Sequence, residues 1–131
     1  MASDNRGVKL QLGFLYGLKC MITDEETRLT LHHIFKKEYG GETSVRNGII
    51  LHELFHRWLH SLENYDRELF ELVNESFILY KQCIDENRTD LVEQYQQEVI
   101  PKLIKRSQYK SKNNLRRKYN EYINRKSRRN L

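Results

Sequence analysis

From Val45 onward the apolar positions Ile49, Ile50, Leu51, Leu54, Phe55, Trp58, Leu59 and Leu62 recur at spacings of three, four and seven, which predicts a helix with a broad buried face. A polar break at Glu63-Asn64 and a cap at Asp66 predict a second helix, packing through Leu69, Phe70, Leu72, Val73, Phe77 and Tyr80 and fading around 85–88. The loop between the two is short, so they should be antiparallel neighbours. Upstream, Thr23-Asp24-Glu25-Glu26 reads as a capping box, starting a helix that runs through Leu29, Leu31, Ile34 and Phe35 to Tyr39, with Gly40-Gly41 as its left-handed exit. Val8, Leu10, Leu12 and Phe14 alternate with polar or small residues, and the alternation continues through Tyr16, Leu18, Cys20 and Ile22. This favours a strand or hairpin, although Leu10, Phe14, Leu15 and Leu18 also fit a helix. Thr89-Asp90 should cap a further helix through Leu91, Val92, Tyr95 and Val99, which Pro101 should kink or end. The expected fold is mainly α: a compact helical body over 1–100 with a short N-terminal strand or hairpin, and a basic C-terminal tail over 101–131, partly helical or disordered.

A chain of 131 residues supports one domain with a modest core. No apolar run approaches the ~18 to 20 residues that span a bilayer, so no membrane partner is expected. The first residues lack the charged-then-apolar pattern of a secretory signal, and the reading is an intracellular chain, cytoplasmic or nuclear. Cys20 and Cys83 form no CxxC pair and suggest buried free thiols.

The net charge of +5 is unevenly spread, which changes the picture of possible partners. Residues 1–100 hold 11 Lys+Arg against 17 Asp+Glu, and residues 101–131 hold 12 against 1, so the body is −6 and the tail +11. Such a tail attracts phosphate backbones or acidic protein surfaces. Its clusters Arg116-Arg117-Lys118-Tyr119 and Arg125-Lys126-Ser127-Arg128-Arg129 combine cations with tyrosines able to stack on bases, and Arg116, Arg117, Lys118, Tyr119, Arg125, Lys126, Arg128 and Arg129 are the candidate nucleic-acid contacts.

The chemistry-bearing stretch is His52-Glu53-Leu54-Phe55-His56. On a helix, two imidazoles one turn apart share a face and can share an ion, while the adjacent carboxylate is turned to serve as a base. Glu75 follows His56 after eighteen intervening residues, in the context Asn74-Glu75-Ser76-Phe77. With Trp58 also in place, residues 49–80 resemble the zinc segment of the gluzincin metallopeptidases, particularly the aminopeptidase N-like type. The resemblance implies His52, His56 and Glu75 as ligands to Zn2+ and Glu53 as general base, with metal-activated water hydrolysing a peptide bond in a peptide or protein substrate. It covers about a quarter of the chain and lacks the Gly-Ala/Met-x-Glu-Asn segment that would hold a substrate amine. Tyr80 and His60 are the candidates for a transition-state donor. His32-His33 reads as surface or core filler rather than as further ligands. The competing expectation is a helical nucleic-acid-binding or ribonucleoprotein chain, viral or ribosome-associated, that acts through its tail.

Overall fold

The computed structural model describes residues 5–107. It is mainly α, as the sequence implies, with helices α1 (Asn5–Tyr16), α2 (Glu53–Tyr65), α3 (Arg67–Asp85) and α4 (Thr89–Gln94) around a two-stranded antiparallel sheet of β1 (Leu29–His33) and β2 (Gly48–His52). Among the described residues no helix is long and apolar enough to cross a membrane.

The sheet lies where the periodicity predicts helix. Ile49, Ile50 and Leu51 are all almost fully buried because β2 is covered on both faces. Ile50 joins Val8 and Leu12 of α1 on one side, while Ile49 and Leu51 join Phe55, Leu59 and Phe77 of α2 and α3 on the other. A strand buried on both faces reads as a continuous apolar run, which periodicity alone does not separate from a helix. The helix therefore starts only at Glu53. His52 is its N-cap, with extended backbone and a side chain whose Nδ1 accepts from Leu54 N at 3.2 Å.

The capping-box stretch is a turn instead. Thr23 Oγ1 accepts from Glu25 N, Cys20 N donates to Glu25 O, and Asp24 and Arg28 both take positive φ before β1 begins. The N-terminal segment is a helix, not a strand, because Val8 and Leu12, one turn apart, have the sheet to pack on. Asp66 caps α3 as expected, accepting from Leu69 N at 3.1 Å. Beyond α4 the helix passes through a π turn over Tyr95–Val99 and continues over 100–107, with Leu103 buried in the main core. The widened turn just before Pro101 relieves the clash its ring would make one turn back, so the proline neither ends the helix nor marks the edge of the folded body.

Two polar side chains hold the loop over 34–47 that joins the strands. Asn47 Oδ1 accepts from Phe35 N, and its Nδ2 donates to Phe35 O and Glu42 O, at 2.8, 2.9 and 2.8 Å. Lys81, buried on α3, points its ammonium at Val45 O, Arg46 O and Gly48 O, at 2.6, 3.3 and 2.6 Å. Gly40-Gly41 closes a short 3-10 turn at Lys37–Tyr39. Gly40 takes φ 91°, and a Cβ on Gly41 would lie 1.9 Å from Phe35 O, so neither tolerates a side chain.

Candidate metal centre

Strand β1 alternates its side chains, so Thr30 and His32 share the face turned to α2. On α2, His56 and His60 are one turn apart and share a face. The three imidazoles meet between these elements: His32 Nδ1 lies 3.1 Å from His56 Nε2, and His60 Nε2 lies 3.0 Å from the same atom. Their ligand atoms all fall within 4.8 Å of one another, a group that could hold a metal ion.

The outward partners decide which nitrogens carry the protons. Thr30 donates its hydroxyl hydrogen to Leu51 O at 2.8 Å, so its oxygen must accept from His56 Nδ1 at 2.8 Å. Asn74 donates its amide to Phe70 O, leaving Oδ1 to accept from His32 Nε2 at 2.7 Å. The Glu63 carboxylate accepts from His60 Nδ1 at 2.6 Å. Each neutral ring has then spent its one hydrogen outward, and three lone pairs face a common point. A single extra proton would bridge one of the two N···N contacts, whereas an ion satisfies all three nitrogens. Bonds of 2.0–2.1 Å in a tetrahedral site would place ligand nitrogens about 3.3 Å apart; the two contacts to His56 Nε2 are near that separation, and all three ligand atoms lie within 4.8 Å of one another. Outward hydrogen bonds of this kind are what orient metal-binding imidazoles.

Electrostatics favour the same state. Burial pushes His32 down to about 3, partly opposed by its hydrogen bond to Asn74 Oδ1, and pushes His56 down to about 4, so both are neutral donors at neutral pH. Burial would raise Glu63, but Lys36 and His60 outweigh it and hold the carboxyl below its ordinary value. Lys36 pairs with both Glu63 and Glu38. The remaining side opens on a cleft lined by Leu31, His32, His33, Lys36, Lys37, Glu38, His56 and His60. His33 Nε2 is 3.0 Å from Thr43 Oγ1 across the loop.

The histidine pair of the pentapeptide is not the pair that converges. His52 ends β2, so it is not one helical turn from His56; its Nε2 faces Glu25 Oε2 at 3.1 Å. Glu75 is exposed on α3, because one residue along a helix turns the side chain by about 100°, and it is Asn74 that faces inward to the histidines. Glu53 is bound by Arg28 and Arg57, at 2.7 and 2.9 Å, and the Arg28 hydrogen bond is the main cause holding its carboxyl below the ordinary value. Among the described residues the group able to hold an ion is His32, His56 and His60, without His52 or Glu75. Trp58 is a core residue, and Tyr80 stacks on Tyr95 with ring centroids 4.3 Å apart. The tail contacts Arg116, Arg117, Lys118, Tyr119, Arg125, Lys126, Arg128 and Arg129 lie outside the described residues.

Comparison with protein-family models, with curated proteins and with solved structures returned no match.

Asn74→Ala or Thr30→Val leaves one imidazole without its orienting acceptor and should weaken metal affinity by roughly 10- to 100-fold in a competition titration; unchanged affinity would contradict the tautomer assignment. In metal-free protein, the unfolded chain takes up protons at ordinary histidine values near 6.5, while folded His32 and His56 stay neutral down to about 3 and 4. Their contribution to stability is therefore complete above pH ~6.5 and is lost as pH falls toward 4. Thermal melts in chelator should drop steadily across that window, and a flat profile would count against burial of the neutral rings.

Proposed function

We propose that the chain is a metal-dependent phosphodiesterase acting on nucleic acid, with His32, His56 and His60 holding a divalent ion, zinc being the best match to three imidazoles. The observation that carries this reading is the convergence of three imidazole nitrogens at the wall of an open cleft. Three protein ligands with a free side is the arrangement of catalytic rather than structural zinc. The substrate class follows from charge. The three ligands are neutral, so the ion's two charges are not cancelled by them; the Glu63 and Glu38 carboxylates are offset by the Lys36 and Lys37 ammoniums, which leaves the ion's own charge to set the sign of the cleft. An anion suits that setting, and the tail's +11 points to a polyanion.

The ion supplies charge stabilisation at the phosphate oxygens. His33, next to the ligand His32 and in the same cleft, takes the proton of a water whose oxygen bonds to phosphorus; the bond from phosphorus to the sugar oxygen breaks, and solvent protonates that oxygen. Lys37, which lines the same cleft, pairs with a non-bridging phosphate oxygen in this reading. The peptide hydrolysis implied by the pentapeptide would use the same ion on a neutral carbonyl, which gives the +11 tail no role.

Full-length protein loaded with zinc, or with manganese as a second metal, should cleave plasmid DNA or labelled RNA, and His33→Ala should keep its metal while cleavage falls by roughly 100-fold or more. Intact nucleic acid with metal-loaded wild type, or His33→Ala cleaving at the wild-type rate, would overturn the proposal. Cleavage of fluorogenic peptides instead would favour the peptidase.

A further inference from the structure

The metal cleft borders a second one. On the far side of Leu31, which lines both, lies a cleft formed by Asn5, Arg6, Lys9, Leu10 and Thr30. Its wall includes the same Thr30 whose hydroxyl orients His56. Strand β1 pairs with β2 along one edge and, among the described residues, with no strand along the other. Helix α1 packs against this sheet, and Arg6 and Lys9, three residues apart, lie on neighbouring positions of one helix face. Lys9 makes one long contact, 3.4 Å to Leu29 O, which leaves hydrogens of its ammonium for another acceptor. A strand rise of about 3.3 Å per residue puts the Thr30 and His33 backbones about 10 Å apart, roughly three steps of nucleic-acid rise along one strand.

We infer that the phosphodiester backbone of the substrate runs from the metal centre along β1 into this second cleft, where Arg6 and Lys9 bind phosphates about three nucleotides along from the one that is cleaved. The inference rests on the phosphodiesterase reading and adds the direction of the substrate track and two residues that hold it. These contacts carry no base information, because a guanidinium and an ammonium on phosphates position a strand without reading its sequence. The body, −6 over residues 1–100, thus has two cations of its own in the cleft that borders the metal site.

The test is binding of fluorescently labelled DNA and RNA oligonucleotides to metal-loaded full-length protein in a His33→Ala background, which keeps the strand intact, with Arg6→Glu/Lys9→Glu compared at several salt concentrations. The double substitution should raise Kd at least about tenfold and reduce the slope of log affinity against log salt by about 1.8, for two phosphate contacts at ~0.9 each. Metal content and melting temperature should stay at their starting values. Arg6→Gln/Lys9→Gln, which removes the charges without reversing them, should give the same loss of slope and decides the matter if the glutamate pair does not fold. Unchanged Kd and unchanged slope in the glutamine pair would overturn the track. If the parent protein binds neither nucleic acid and the wild type cleaves neither, it is the phosphodiesterase reading that fails. A loss confined to the DNA or to the RNA arm identifies which polymer uses the track and supports it.

Discussion

His56→Ala is expected to abolish metal binding and lower nucleic-acid cleavage by at least about three orders of magnitude, while the protein stays folded. His56 Nε2 is the atom from which both other ligands are measured, 3.1 Å to His32 and 3.0 Å to His60, so its loss removes the middle of the site. The ring is held from behind by Thr30 rather than by packing alone, and its removal leaves that hydroxyl at a half-buried position that water can reach. Inductively coupled plasma analysis and a plasmid-cleavage assay on the same preparation check the two halves together. A variant that keeps stoichiometric metal, or that cleaves within tenfold of wild type, would contradict the assignment.

Lys81→Met is expected to cost about 3 to 5 kcal/mol of stability, the largest effect of any single substitution away from the metal. Burial pushes Lys81 down to about 8, partly opposed by Asp85, yet at neutral pH the ammonium keeps its charge and all three hydrogens point at the carbonyls of Val45, Arg46 and Gly48. Methionine fills the same space but takes the ammonium from all three carbonyls: Gly48 O is buried, and Val45 O keeps only the 3.3 Å bond from Gly48 N. They belong to the turn that launches β2, whose five residues are all buried, so the damage spreads to the sheet. For a chain of this size the melting temperature should fall by roughly 10 to 20 °C. A loss under about 1 kcal/mol in denaturant titration would mean that the turn finds other partners.

The helical class, the pair α2 and α3 and the Asp66 cap between them were legible because each rests on a local signal: apolar residues at helical spacing and an acidic side chain before the first turn. The sheet was not. Its strand β2 is covered by α1 on one face and by α2 and α3 on the other, and that two-sided burial erases the alternation by which a strand is recognised. Taking Ile49 to Leu62 as one helix made His52 and His56 a helical pair, whereas the helical pair is His56 and His60, visible in the sequence at the same spacing of four. His32 could be found only by bringing β1 against α2, a contact between residues 24 apart in the chain. In the sequence Asn74 stands out only as the neighbour of Glu75, and the phase of α3, fixed by Phe70, Val73 and Phe77 in the core, decides that the amide and not the carboxylate faces the histidines.

The most direct test of the account is the zinc content of five purified full-length proteins after equilibration with a slight excess of zinc and gel filtration: wild type, His32→Ala, His60→Ala, His52→Asn and Glu75→Gln. Asparagine at 52 retains an N-cap for α2, and glutamine at 75 sits on an exposed face, so neither change disturbs the fold. One zinc per chain is expected in wild type, His52→Asn and Glu75→Gln, and none in His32→Ala or His60→Ala. Zinc lost on changing His52 or Glu75 but retained without His32 and His60 would contradict the three-histidine site.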